Sequence, residues 1–231
     1  MCTVTFVPTA GGYRLGMNRD ERHARAAGLP PAVRDLEGRV AVFPSEPGGG
    51  TWIAVNERRA AFALVNWYPL ARVRAFRLLG VFPAARALLE WAWDGRRLRC
   101  ASHGWDVRQW ASSGYDEPGA QRSRGAVLRR ALAAPSAGSC DWLRRLHRSH
   151  RPVRGAHSTC VHRADAGTVS YTEVEVEARR VRVGYVAGPP CRGTQPVGVE
   201  IGCDDGTAQW AARSTTPQAM RSPALPAGSV R

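Results

Sequence analysis

The chain has 231 residues, a formal net charge of +14 and 44% hydrophobic residues. Every one of its 33 basic residues is an arginine, so it has no lysine for a Schiff base, a phosphate-binding P-loop or a Ser-Lys dyad. Pyridoxal enzymes, Walker-type NTPases and kinases are therefore excluded. The length fits one domain, and the hydrophobic fraction is sufficient for a core.

The first predicted element is a β-hairpin. Alternating residues from Cys2 to Val7 indicate a strand, Ala10-Gly11-Gly12 indicates a turn, and Tyr13 to Asn18 indicates the returning strand. This pairing brings the end of the second strand, Asn18-Arg19-Asp20-Glu21, close to the start of the chain.

Cys2 is a candidate nucleophile. It is small, so we expect removal of Met1, which leaves a free α-amine on the residue that carries the thiol. The ordinary pKa is about 7.7–8.0 for an α-amine and about 8.5 for a thiol, so the amine can accept the thiol proton near neutral pH. One residue then supplies nucleophile and base, as in N-terminal nucleophile enzymes. A chance cysteine is the alternative.

The polar tetrapeptide suits the same chemistry. Arg19 can lower the thiol pKa, Asp20 can orient the α-ammonium, and Asn18 can hold a substrate carbonyl. Glu21 adds a second carboxylate that can contact substrate. The alternative is a solvated charged loop.

Strands dominate the first half of the chain, and two helices follow. The predicted strands, listed in chain order, are 39–44, 51–56, 60–66, 76–82, 88–93, 98–102, 161, 169–176 and 181–186. A helix is predicted from Gly119 to Ala133, with Asp116 as N-cap, and another from Cys140 to Ser149. This order predicts an α+β fold. Residues 1–191 form the predicted domain. Residues 192–231 are rich in small residues and proline, and are predicted to form a disordered tail.

Several segments resemble the NRDE (transport and Golgi organisation protein 2-like) family. They are Met1-Cys2-Thr3, the Asn18-Arg19-Asp20-Glu21 tetrapeptide, Gly48-Gly49-Gly50-Thr51-Trp52, Leu64-Val65-Asn66-Trp67-Tyr68-Pro69 and the block from His157 to Glu173. That family is similar to N-terminal nucleophile hydrolases of the choloylglycine hydrolase and penicillin V acylase type.

The resemblance implies a four-layer αββα sandwich with antiparallel sheets. It also implies that Cys2 is the nucleophile, that Asp20 contacts the α-amine, and that Asn66 contributes to an oxyanion hole. Ser112 and Ser113 fall where those enzymes place a second polar orienting residue. The arginine that those enzymes place before the asparagine is missing, because Met17 occupies that position.

Other candidates are weaker. Trp52 and Trp67 can line a groove for an acyl or aromatic group, or can pack in the core. His147 with His150, and Cys160 with His162, have spacings that could suit a metal, but a metal site needs three or four converging ligands. We therefore predict neither a metal nor a cofactor.

The leading hypothesis is a cysteine amidohydrolase that acts on a small amide or acyl compound. The alternative is a non-enzymatic protein that binds or transports haem, lipid or acyl-CoA. Dispersed arginines and the absence of a recognition motif argue against a nucleic-acid partner. The absence of a long apolar run and of a leader pattern predicts a cytoplasmic protein with no membrane span. The scattered cysteines, with no CxxC pair, predict mostly reduced thiols.

Overall fold

A computed structural model describes residues 2–67 and 75–203. Strands and helices are numbered in chain order. A six-stranded antiparallel sheet contains, in spatial order, β10 (Arg108–Ala111), β1 (Cys2–Thr9), β2 (Gly12–Arg22), β11 (Ala166–Val176), β12 (Arg180–Ala187) and β13 (Val197–Gly202). A seven-stranded antiparallel meander contains β3 (Leu29–Asp35), β4 (Val40–Ser45), β5 (Ile53–Asn56), β6 (Ala61–Trp67), β7 (Ala75–Phe82), β8 (Ala87–Trp93) and β9 (Leu98–His103).

The main core lies between the two sheets. Alternate residues of β1, such as Val4 and Phe6, are fully buried there with Met17 of β2 and with Val65 and Leu79 of the meander. Strict alternation places every second side chain of a strand on one face, so β1 and β2 have one apolar face toward the meander. Their other face carries polar residues such as Thr3, Thr5 and Asn18, which are also fully buried.

The helices α1 (Glu117–Leu132) and α2 (Cys140–His147) cover this second face. Val7 of β1 packs in a smaller cluster with Leu128 of α1 and Leu143 of α2. The predicted N-cap is confirmed, since Asp116 Oδ1 accepts a hydrogen bond of 2.9 Å from the Gly119 backbone N–H. None of the helices in the described ranges is long and apolar enough to cross a membrane.

The α+β class, the antiparallel sheets and most predicted strands are confirmed. The layer order differs from the predicted αββα arrangement. Both helices lie on the six-stranded sheet, and residues 2–67 and 75–203 supply no helix for the outer face of the meander. The observed order is therefore three layers: helices, six-stranded sheet, seven-stranded sheet.

Three strands, β3, β10 and β13, were not predicted. Consecutive prolines, Pro30 and Pro31, fall in β3 and hide its strand pattern, because a proline cannot donate to a sheet ladder. β3 is an edge strand with an irregular register, which tolerates them. Residue 161 was predicted as strand, but that segment forms only an isolated bridge between His162 and Gly167.

The folded part extends past the boundary predicted at residue 191. β13 lies inside the segment 192–231 that was predicted to be disordered, and it pairs with β12 over Arg180 to Tyr185. The rest of that predicted tail, residues 204–231, lies outside the described residues. None of the six cysteines, all within the described ranges, forms a disulfide.

The buried His147 at the end of α2 generates a prediction about pH. Burial lowers its pKa from the ordinary value of 6.5 to about 3, and the nearby Arg124 acts in the same direction. Because the folded-state pKa lies below the unfolded one, the stabilisation is present above pH 6.5 and is lost as pH falls toward 3. At about 1.36 kcal/mol per pKa unit, we expect the free energy of unfolding to drop by about 2 kcal/mol between pH 7 and pH 5.

Urea unfolding at the two pH values measures this drop. The drop should shrink strongly in His147→Gln and persist in His23→Gln, whose side chain is exposed. Equal pH dependence in His147→Gln and the unsubstituted protein would contradict the assignment.

Candidate functional site

The β1–β2 hairpin places the polar tetrapeptide beside Cys2, but on two different faces. In the register Cys2 lies opposite Arg19, and Thr3 lies opposite Asn18. Cys2 and Arg19 therefore face the meander, whereas Asn18 and Asp20 face the helices. The predicted residues are close together in the sheet without all pointing at the thiol.

The backbone of Cys2 is held by Ser112, just after β10. The Cys2 backbone nitrogen donates to Ser112 Oγ at 2.9 Å, and the Ser112 backbone nitrogen donates to the Cys2 carbonyl at 2.9 Å. The Cys2 residue is only 6% exposed. Burial raises the pKa of its thiol, and the Asp20 carboxylate adds to the rise. Arg19 acts in the predicted, lowering direction but is outweighed by burial. The thiol therefore needs a base to become a nucleophile.

Asp20 lies behind Cys2 with a buried cation. Thr168 Oγ1 donates to Asp20 Oδ1 at 2.6 Å, and Arg124 Nη1 lies 3.8 Å from Asp20 Oδ2. Both side chains of this ion pair are completely buried. Burial raises the pKa of the Asp20 carboxyl, and Arg124 limits the rise.

Arg124 was not predicted as a site residue. Its guanidinium donates to Thr3 Oγ1 at 2.7 Å and to the carbonyl oxygens of Ser112, Ala156 and Ser158 at 3.1–3.4 Å. Arg124 thus connects α1 to Thr3, which follows Cys2, and to Ser112, which binds the Cys2 backbone nitrogen. The spacing along the helix could have indicated that Arg124 is buried. It lies four residues after Ala120 and four before Leu128, which are both buried on the same helix face.

Asn18 forms hydrogen bonds to the backbone of two other segments of the fold. Its Nδ2 donates to the carbonyls of His147 and Thr159, at 2.9 and 2.8 Å. The side chain is fully buried on the helix side, so its placement differs from the expected contact with a substrate carbonyl. It instead joins β2 to α2 and to the segment that precedes β11.

Arg19 belongs to a charged network on the meander side. Its Nη2 lies 2.8 Å from Glu46 Oε1 and 3.7 Å from Glu21 Oε2. Arg25 contacts the same two carboxylates at 2.6 and 3.2 Å. Partial burial raises the pKa of the Glu46 carboxyl, but Arg25 and Arg19 outweigh this effect and hold that pKa below its usual value. The guanidinium of Arg19 also lies 4.7 Å above the Trp52 ring, which explains how this buried tryptophan is covered.

Three other residues predicted for the site, Asn66, Trp67 and Ser113, have different surroundings from the residues next to Cys2. Asn66 is exposed on β6, whose buried residues alternate with it, so it belongs to the outer face of the meander. Trp67 is half-buried under Arg77, whose guanidinium lies 5.1 Å from the ring centroid. Ser113 Oγ accepts from the backbone nitrogens of Tyr115 and Asp116, which shapes the turn that leads into α1.

No protein-family model matches the chain, and no curated protein matches its sequence. The resemblance to the NRDE family therefore stays a prediction from the quoted motifs. The class that the fold supports is a mixed α+β protein with two antiparallel sheets.

Replacing Arg124 tests whether the buried ion pair supports the site. Arg124→Met leaves the Asp20 carboxylate without its cation and four oxygen acceptors without their donor. Breaking a buried pair from one side typically costs about 3–5 kcal/mol, so we expect a loss of that size in the free energy of unfolding.

The control is Arg122→Met, an exposed arginine on the same helix. It should change stability by less than about 0.5 kcal/mol. Asp20→Asn added to Arg124→Met should recover part of the loss. Chemical denaturation of the unsubstituted protein, Arg124→Met, Asp20→Asn and the double variant measures the coupling, and additive effects would refute an Asp20–Arg124 interaction.

Proposed function

We propose that this protein is an N-terminal cysteine amidohydrolase that acts on a small amide or acyl compound after removal of Met1. The observation that carries the proposal is the reciprocal pair of hydrogen bonds between Cys2 and Ser112, at the end of β1. It holds the nitrogen that becomes the α-amine, with the buried Asp20–Arg124 pair on the opposite face. The proposed fold is a variant of the N-terminal nucleophile hydrolase sandwich. Its two antiparallel sheets support this, although residues 2–67 and 75–203 supply helices on one side only.

In the proposed mechanism the freed α-amine of Cys2 accepts the thiol proton, and the thiolate attacks the substrate carbonyl carbon. The proton passes to the leaving nitrogen as the C–N bond breaks, and a thioester remains. The same amine then deprotonates a water molecule, which hydrolyses the thioester and restores the thiol. Burial raises the pKa of the Cys2 thiol, so little of the thiol is ionised on its own. Transfer of its proton to the amine therefore accompanies the attack on the carbonyl carbon.

The oxyanion of the tetrahedral intermediate needs a donor on the face of Cys2. Asn66 lies on the outer face of the meander, so we assign this role to Arg19, which is opposite Cys2 in the register and nearly buried. Ser112 Oγ keeps its hydrogen bond to the amine and so fixes the direction of the nitrogen lone pair. Preorganised donors of this kind stabilise charge that develops in the transition state.

The mature N-terminus and the role of Cys2 are tested together. We expect the intact mass of the purified protein to be lower than that of the full chain by one methionine residue. In a screen of small amides, Cys2→Ala should show no turnover, while its unfolding midpoint stays close to that of the unsubstituted protein.

The matched control is Cys100→Ser, which removes an exposed thiol on β9 and should keep full activity. A retained Met1 would block the amine as a base and contradict the proposal. Undiminished turnover in Cys2→Ala would contradict it as well.

A second candidate is a non-enzymatic protein that binds acyl-CoA, and one groove favours it over haem or free lipid. A cavity of about 740 Å³ lies between α1 and the segment around Pro152, lined by Arg122, Arg130, Arg151 and His157. Val127 and Ala126 line the same groove. Arginines suit phosphate oxygens, and the apolar side chains suit an acyl chain.

Fluorescence titration with an acyl-CoA and with the free fatty acid distinguishes this candidate. We expect saturable binding of the acyl-CoA only, about tenfold weaker when Arg122 and Arg130 are both changed to alanine, as for lost charge-assisted hydrogen bonds. Arg96→Ala, an exposed arginine in the turn between β8 and β9, should bind normally. Equal binding of both ligands would argue against recognition of the phosphates.

A further inference from the structure

Two histidines and two cysteines converge at one place, although they come from three separate segments. His150 follows α2, Cys160 and His162 precede β11, and Cys191 lies in a 3₁₀ turn, Pro190–Arg192, after β12. His162 Nε2 lies 3.2 Å from His150 Nε2, 3.5 Å from Cys160 Sγ and 3.4 Å from Cys191 Sγ. One ligand atom from each of the four residues lies within 4.8 Å of the other three.

These separations are those of a tetrahedral zinc site. Zinc binds thiolate sulfur at about 2.3 Å and imidazole nitrogen at about 2.0–2.1 Å. Around a tetrahedral ion, such bond lengths place neighbouring ligand atoms about 3.3–3.8 Å apart. The three distances from His162 fall at or close to this range, so the ligands need little movement to close around an ion.

The backbone holds the cluster in place independently of any ligand. The Cys160 backbone nitrogen donates to the Ser149 carbonyl at 3.0 Å, which joins the segment of Cys160 to that of His150. The Val161 backbone nitrogen donates to Thr168 Oγ1 at 2.8 Å, and the Thr168 nitrogen donates back to the Val161 carbonyl at 3.0 Å. Cys160 itself is fully buried. The site is therefore preorganised rather than a chance meeting of surface side chains.

We propose that His150, Cys160, His162 and Cys191 bind a structural Zn²⁺ ion. A tetrahedral set of two sulfurs and two nitrogens suits zinc among the common metals. Four protein ligands close the coordination sphere, so the role is structural rather than catalytic. Two thiolates balance the charge of the ion. The centre is then neutral and compatible with two nearby arginines, Arg154, which contacts His162, and Arg192, which follows Cys191 in the chain.

One contact must change when the ion binds. Arg154 Nη2 lies 3.2 Å from His162 Nδ1. Coordination through Nε2 puts the ring proton on Nδ1, so this nitrogen becomes a donor and Arg154 must turn away. Arg154 is exposed, so this movement meets little resistance.

The zinc site lies directly behind the candidate active site but does not depend on its function. Thr168 Oγ1 joins the two, because it accepts from the Val161 nitrogen and donates to Asp20 Oδ1. The Thr159 carbonyl, next to Cys160, accepts from Asn18. A bound ion would thus hold the segment that positions Asn18 and Asp20.

The first test is metal content. The full-length protein, produced with added zinc and freed of weakly bound metal, should contain one zinc per chain by mass spectrometry of the elements. Cys191→Ser should lose most of it, and Cys100→Ser, which changes an exposed cysteine outside the cluster, should keep it. Less than one tenth of a zinc per chain in the unsubstituted protein, or equal zinc in Cys191→Ser, would overturn the proposal.

The second test needs no variant, in case Cys191→Ser fails to fold. Titration of the metal-free protein with Co²⁺ should saturate at one ion per chain and give intense visible bands of tetrahedral cobalt with thiolate-to-cobalt charge transfer. His150→Ala should weaken binding at least tenfold while it retains the thiolate band. Absence of that band in the unsubstituted protein would overturn the proposal. So would a nonreducing mass that is lower by two hydrogens with Cys160 linked to Cys191.

Discussion

The buried guanidinium of Arg124 is the interaction on which the architecture around Cys2 depends. A buried charge is costly unless it is paired and hydrogen-bonded, and here each of the three guanidinium nitrogens donates at least one hydrogen bond. Its partners belong to β1, to the residue after β10, to the segment before β11 and, through Asp20, to β2. One side chain of α1 thus fixes the distance between the helical layer and the six-stranded sheet. Hydrophobic packing alone would tolerate small displacements of that layer, whereas this donor set does not.

The polar layer between helices and sheet continues on both sides of Arg124. His147 packs its ring 5.2 Å from that of Tyr171, and Asn18 joins the His147 carbonyl to the Thr159 carbonyl. The sheet therefore has two unlike faces: an apolar face toward the meander and a hydrogen-bonded face toward the helices. The apolar face packs in the larger of the two hydrophobic clusters that include β1. The polar face specifies one arrangement, because each partner must meet a defined donor or acceptor.

Features of the fold that depend on residues close together in the sequence were predictable, whereas those that depend on distant segments were not. Alternation and turn residues are local, so they located the β1–β2 hairpin, and Asp116 before a helical pattern located α1. Asn66 was placed by resemblance alone, and the alternation of β6 puts it on the opposite face of the meander from the one expected to hold an oxyanion. The convergence of Cys191 on His150 and Cys160 could not be foreseen, since it depends on how β11 and β12 return the chain.

The two faces of the hairpin also constrain what chemistry Cys2 can perform. Asp20 lies on the helix side, so it cannot take the thiol proton directly from a side chain that points toward the meander. Its influence reaches Cys2 through the field of the Asp20–Arg124 pair and through Ser112, whose carbonyl accepts from Arg124 and whose hydroxyl accepts from the Cys2 nitrogen. In the proposed mechanism the base therefore lies at the open end of the β1–β2 hairpin. We propose the α-amine of a processed Cys2 for this role, because it shares the α-carbon with the thiol and its nitrogen already has a fixed hydrogen-bond acceptor.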